Sequence, residues 1–161
     1  MGKIYYIMGK SASGKDSIFK ELKKRMPQLR EIVLYTTRPI RAGERDGIEY
    51  HFTDEEGFQE LLRQGSVIEA RAYHTCLGLW RYFTVADEGI DLKAHSYVMI
   101  ATLEAYEQIQ KVYGADKVLP VLIELDDGVR LQRALDREKA QDQPKYEEMC
   151  RRFLADAEDF S

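Results

Sequence analysis

The sequence predicts an α/β fold: a parallel sheet flanked by helices, with a small mixed α/β insert and a helical segment at the end. Three observations predict it. A strand, a glycine-rich turn and a helix follow one another near the N-terminus. Apolar runs of strand length alternate with helical periodicity in the second half. The stretch between them breaks that rhythm with glycine, proline and charge.

Ile4-Tyr5-Tyr6-Ile7-Met8 is an apolar run suited to a short buried strand. After Gly9 to Ser17, Ile18, Leu22 and Met26 recur at helical spacing, and Pro27 punctuates. Glu31 to Tyr35 reads as a second strand. Thr36 to Gly47 is too rich in Gly, Pro and charge for an element interior. Ile48 to Phe52 alternates as a half-buried strand. Thr53 and Glu56 have the spacing of a capping box ahead of Phe58, Leu61 and Leu62, and Gly65 ends that helix. Val67 to Tyr73 alternates as a strand with Leu79 to Val85 as partner. Tyr97 to Ala101 suits a central parallel strand. Leu103, Tyr106, Ile109 or Gln110, and Tyr113 mark a helix closed by Gly114, and Val118 to Leu125 is the next strand. From Val129 the chain reads as helical and arginine-rich: Arg130, Arg133 and Arg137, then Arg151 and Arg152 beyond a break at Pro144. The expected layout is one domain over 1–161, with a core at about 1–34 and 91–128, an insert at about 35–90, and a lid with its following helix at about 129–161.

Strand, glycine-rich turn and helix form the setting in which a G-x-x-x-x-G-K element cradles phosphates, so the sheet is expected to be of the P-loop NTPase type. The candidate ATP-binding residues are Gly9, Lys10, Ser11, Ala12, Ser13, Gly14, Lys15, Asp16 and Ser17. Glycines let backbone N–H groups converge on an anion, the helix N-terminus adds its positive dipole end, and Lys15 reaches the outer phosphates. Asp16 stands where Ser or Thr commonly offers Mg²⁺ a hydroxyl, and Ser17 follows. Both carry hard oxygen donors, so they are the candidate metal ligands, with Mg²⁺ the expected cofactor alongside ATP.

Composition excludes other classes. Of 161 residues, 32% are charged and 44% hydrophobic, enough to build one core. A net charge of −4 argues against a surface given over to nucleic acid or an anionic membrane. No apolar run is long enough to span a bilayer, and no signal-peptide pattern is seen. Cys76 and Cys150 form neither a metal spacing nor a disulfide framework, and His74 beside Cys76 reads as structural. The expectation is a cytoplasmic protein acting on small nucleotides, with its oligomeric state open.

Thr36-Thr37-Arg38-Pro39-x-Arg41-x-Gly43-Glu44-x-Asp46-Gly47-x-x-Tyr50-x-Phe52, downstream of this P-loop, resembles the guanylate kinase family. The resemblance implies ATP and GMP as substrates. It implies that Arg38, Arg41 and Tyr50 grip the acceptor phosphate, Glu69 reads guanine, and Thr102 lies at the acceptor site. It also implies that Arg133, Arg137 and Arg152 act with Lys15 and Arg38 in catalysis, with Arg130 a secondary candidate. Guanidinium forks suit a dianionic phosphate, and a carboxylate accepts from the paired N–H donors of guanine, which adenine lacks.

The chain departs from the family pattern in places. Val98 to Glu104 offers only Thr102 and Glu104 where an aspartate-rich strand end is usual. A guanine-reading serine falls near Leu34 or Tyr35, and a Tyr-Gly phosphate contact near Leu77-Gly78. The chain stops at Ser161, where family members usually continue, so a truncated chain is expected. Two other readings stay open: a catalytically silent guanylate kinase-like binding module, and a ribose bisphosphate phosphokinase, whose P-loop the Gly-Lys-Asp-Ser end resembles.

Overall fold

Two four-stranded sheets organise the chain. The structure is a computed structural model that describes residues 1–87 and 89–161. In chain order the elements are β1 (Ile4–Gly9), α1 (Lys15–Arg25), β2 (Arg30–Glu31), β3 (Tyr35–Thr36), β4 (His51–Phe52), α2 (Glu55–Arg63), β5 (Val67–Thr75), β6 (Gly78–Val85), β7 (Tyr97–Ile100), α3 (Leu103–Tyr113), β8 (Val118–Ile123), α4 (Asp127–Lys139) and α5 (Tyr146–Asp159).

The first sheet is parallel throughout, in the order β2-β7-β1-β8. Its inner strands are buried on both faces, which is why they read as unbroken apolar runs. Ile4, Tyr6, Met8, Tyr97, Met99 and Val118 pack with Ile109 on one face, while Ile7 and Val98 pack with Phe19 on the other. Val118 to Ile123 forms the edge strand, where Pro120 is tolerated because it lies opposite only one neighbour. It ends at Ile123, short of Leu125, because the Asp126 carboxylate accepts from Val129 N–H and starts α4.

The second sheet has the order β4-β3-β6-β5, with β3 parallel to β4 and antiparallel to β6, and β5 antiparallel to β6. Phe58, Phe83 and Val85 form its separate core. The expected single strand Glu31 to Tyr35 is instead divided between the sheets. Ile32 is buried in the first core and donates to Val98, while Leu34 accepts from His51 N–H beside the second sheet. One apolar run thus serves two cores, and the hand-over between them costs the middle of the strand.

Two further expectations shift. Ile48 to Phe52 keeps only His51 and Phe52 as strand, because a turn takes the rest: Gly47, at φ 86, donates to Tyr50 O, and the Asp46 carboxylate accepts from Phe52 N–H. Ile48 is left exposed. The cap of α2 is Asp54, one residue after Thr53; its Oδ1 accepts from Gly57 N–H at 2.7 Å. No helix among the described residues is long and apolar enough to cross a membrane.

Candidate active site

The glycine-rich loop leaves β1 and enters α1 through Ala12 at φ 60 and Gly14 at φ 89. Gly9 has to be glycine: a Cβ there would lie 2.8 Å from Ile123 O and 2.9 Å from Ser13 Oγ. Gly14 is the N-cap of α1 and offers no side chain to its first N–H groups, which stay available to an anion. Ser13 Oγ is buried in this loop without a hydrogen-bond partner among the described residues. Lys15, Asp16 and Ser17 line a cavity of about 230 Å³ together with Arg133 and Arg137. Lys15, Asp16 and Arg137 also line one of about 360 Å³ with Arg152. Arg152 and Arg151 both bond the Glu148 carboxylate, and the hydrogen bond from Arg151 helps hold that carboxyl at about 2.

Arg130 holds the loop from behind. Its guanidinium, 1% exposed, donates to Ser11 O at 3.0 Å and to Asp127 Oδ1 at 2.6 Å, approaches Asp156 Oδ2 at 3.5 Å, and lies over the Phe153 ring. Asp156 Oδ2 also accepts from Ser11 N–H at 2.8 Å, so a carboxylate of α5 reaches the phosphate loop. Lys10 pairs with Asp127 at 3.6 Å.

The acceptor-motif residues gather on the second sheet. Thr36 Oγ1 donates to Arg81 O and accepts from Arg38 N–H, and Thr37 Oγ1 accepts from Arg81 N–H, which fastens the loop to β6. Arg38 is buried and bidentate with Glu44, both N–O distances 2.9 Å. Glu44 also accepts from Arg41 N–H. The hydrogen bond from Arg38 outweighs burial and holds the Glu44 carboxyl at about 2, and raises the Arg38 pKa in turn. Tyr50 sits under the Arg38 guanidinium, edge-on to Tyr82, and Arg41 lies over Trp80.

Glu69 is buried on β5, where Thr84 Oγ1 donates to its Oε1 at 2.7 Å and Arg71 Nε to its Oε2 at 3.1 Å. Thr102 caps α3, its Oγ1 accepting from Ala105 N–H and its carbonyl from Tyr6 O–H. It lines a groove of about 490 Å³ together with Gly9, Lys15, Tyr73 and Asp156, so the phosphate loop and the second sheet border one space.

Among the described residues no cluster of three or more His, Cys, Asp or Glu is gathered to hold a metal. Asp16 and Ser17, the expected Mg²⁺ ligands, both line the cavity of about 230 Å³ at the start of α1. Mg²⁺ commonly takes few protein oxygens and completes its shell with phosphate oxygens and water.

The sequence reading did not reach Arg71, Thr84, Asp127 and Asp156. Strand alternation from Glu69 carried the signal for Arg71, since residues two apart share a face. Thr84 needed the β5–β6 register, and Asp156 bonds a residue 145 positions away, for which no local signal exists.

The family model for guanylate kinase matches residues 1–79. Guanylate kinase of Mycobacterium bovis is 41% identical over 86 residues, covering 53% of this chain and 40% of that protein. Guanylate kinase of Chlorobaculum tepidum is 29% identical over 145 residues, covering 87% of this chain and 72% of that one. The crystal structure of guanylate kinase from Anaplasma phagocytophilum superposes with a TM-score of 0.63 at 22% identity, over 84% of this chain and 67% of its own; at that identity the match bears on the fold. The chain spans well under half the length of the Mycobacterium relative it matches.

Proposed function

We propose that the chain, which matches guanylate kinases in sequence and fold, is a phosphotransferase of that family and transfers the γ-phosphoryl group of ATP to GMP, giving ADP and GDP. The observation that carries the reading is the shared groove: Lys15 of the phosphate loop and Tyr73 and Thr102 near the acceptor residues line one space. Phosphoryl transfer asks a protein mainly to position two phosphates and neutralise charge between them.

In this reading the loop Gly9 to Ser17 holds the donor phosphates, chiefly through the N–H groups at the N-terminus of α1, and Lys15 offsets charge on the group in flight. Arg38, Arg41 and Tyr50 hold the acceptor phosphate, whose oxygen attacks the γ-phosphorus as the bond to the β-phosphate bridging oxygen breaks. Glu44 already presents a carboxylate to the Arg38 fork, so the dianion either displaces it or joins it there. Glu69 accepts from the base, and Thr102 borders the base end. Arg133, Arg137 and Arg152 close over the donor and exclude water. When bound, Mg²⁺ supplies further charge neutralisation through Asp16 and Ser17. The reaction is proposed for the cytoplasm, where both nucleotides are present.

Retention of Lys15, Arg133, Arg137 and Arg152 speaks against a silent binding module, and the Arg38-to-Phe52 stretch against a ribose bisphosphate acceptor. The test is an acceptor panel of GMP, dGMP, AMP, UMP and ribose 1,5-bisphosphate with ATP and Mg²⁺. GMP should be turned over well ahead of AMP and UMP. Equal rates with GMP and AMP, or turnover of the bisphosphate alone, would contradict the proposal.

A further inference from the structure

We propose that Arg71 is a second base-reading residue, which donates to the 6-oxo group of the acceptor's guanine while Glu69 takes its N–H donors. The inference rests on the guanylate kinase reading above and deepens it.

The second sheet places the groups. In the β5–β6 ladder Glu69 stands opposite Thr84, Arg71 opposite Tyr82 and Tyr73 opposite Trp80. Directly opposed residues share a face, and so do residues two apart along a strand. One face of this hairpin therefore carries Glu69, Arg71, Tyr73, Trp80, Tyr82 and Thr84. It is also the face against which Tyr50 packs on Tyr82 and Arg41 lies over Trp80. Arg71 thus lies between the carboxylate at the base end and the aromatic and guanidinium groups at the phosphate end.

Arg71 is also held in place. Its Nε bonds Glu69 Oε2 at 3.1 Å, its Nη2 reaches Oε1 at 3.5 Å, and both side chains are nearly buried, 10% and 5% exposed. Thr84 fixes the same carboxylate from the other side. Nη1 takes no part in the pair. Burial works most strongly against the Arg71 charge, but Glu69 and Tyr73 together outweigh it and leave its pKa raised.

Complementarity then identifies the ligand edge. The Watson–Crick edge of guanine presents an acceptor, O6, followed by two donors, N1–H and the 2-amino group. A guanidinium N–H beside two carboxylate oxygens presents a donor followed by two acceptors. Adenine presents a donor and an acceptor in the opposite sense, so an N–H of Arg71 would face its 6-amino group. A carboxylate alone reads only the two donors; with Arg71 the site reads the whole edge. Oε2 keeps a free lone pair, while Oε1 already accepts from Thr84 and, at 3.5 Å, from Arg71 Nη2. The long Nη2 contact therefore yields to the second guanine donor, and the Nε–Oε2 bond holds the pair.

The test is equilibrium binding of GMP, 6-thio-GMP and AMP to the parent protein and to the Arg71→Met and Arg71→Lys variants. 6-Thio-GMP keeps both donors read by Glu69 and replaces O6 by sulfur, a weak acceptor. The parent should bind GMP about tenfold more tightly than 6-thio-GMP, the worth of one charge-assisted hydrogen bond. Arg71→Met should bind the two equally, and Arg71→Lys should fall between. The same GMP to 6-thio-GMP ratio in a folded Arg71→Met as in the parent would overturn the inference and leave Arg71 as a support for Glu69. If Arg71→Met does not fold, the parent and Arg71→Lys decide, and a parent that does not discriminate overturns it. A parent that prefers GMP to AMP but ignores the sulfur leaves the guanylate kinase reading standing and overturns the role of Arg71. A parent that prefers AMP or binds none of the three overturns both.

Discussion

The acceptor side and the donor side of this molecule are held together over different distances in the sequence. On the acceptor side the ion pairs are local: Arg38 with Glu44, six residues on, and Glu69 with Arg71, two residues on. On the donor side the phosphate loop is fastened by α4 and α5, through Arg130 to Ser11 over 119 positions and Ser11 to Asp156 over 145. The expected acceptor side is thus tied by short-range ion pairs and by sheet contacts no more than 45 positions apart. The donor loop takes its turn locally, at Ala12 and Gly14, and is anchored at Ser11 by α4 and α5. Loss of a long-range anchor should therefore cost the fold, while loss of an acceptor residue should cost binding.

The largest expected effect follows from that contrast. Arg130 is buried and satisfies Ser11, Asp127 and Asp156 together. Arg130→Ala leaves two carboxylates without their shared partner and should destabilise the protein by about 3–5 kcal/mol in chemical denaturation. An Arg130→Ala protein as stable as the parent would mean that α5 does not fasten the loop.

Within the active site, the two sides should separate kinetically. Arg137→Ala should lower kcat by about a hundredfold, since its partner charge develops during transfer. Arg38→Ala and Arg41→Ala should instead raise the KM for GMP, by about 1.5–3 kcal/mol of lost charge-assisted binding each. If all three altered only ATP binding, the donor and acceptor ends would be reversed.

Asp16 should show a smaller, metal-linked effect. Asp16→Ala should need on the order of tenfold more Mg²⁺ to reach half its maximal rate. Asp16→Ser should recover much of that by restoring a hydroxyl donor. A Mg²⁺ titration of Asp16→Ala that matches the parent removes Asp16 from the metal site.

The smallest effect concerns acid. Glu44 is held at about 2 against an ordinary 4.5, through its hydrogen bonds to Arg38. A depressed carboxylate adds stability that is fully present above 4.5 and is lost as pH falls toward about 2. Glu44→Gln should flatten the dependence of stability on pH across that window, read by thermal melts. Parallel parent and variant curves would mean that the Arg38 fork is not what lowers the Glu44 carboxyl.

The same contrast explains what could be read from the sequence. The parallel sheet was legible because its inner strands are buried on both faces, so Ile4 to Met8 and Tyr97 to Ile100 announce themselves as apolar runs. The phosphate loop was legible because its turn demands glycine at Gly9 and Gly14. Strand boundaries near the insert were not: Ile32 and Tyr35 belong to different cores, and periodicity cannot say that one run is shared. The turn at Gly47 took residues that alternate as a strand, and Asp54 displaced Thr53 as cap because two competent capping residues stood side by side. Arg130 read as a secondary candidate among the arginines of the last helices; only its long-range partners make it a buried clamp.

In the proposed reaction, phosphate leaves ATP and arrives on GMP. Phosphorus NMR of ATP, GMP, Mg²⁺ and a catalytic amount of the protein tests it most directly. The expected result is a β-phosphate resonance of GDP growing from GMP in step with ADP, with no inorganic phosphate. Inorganic phosphate appearing in place of phosphorylated GMP, or spectra that do not change, would contradict it.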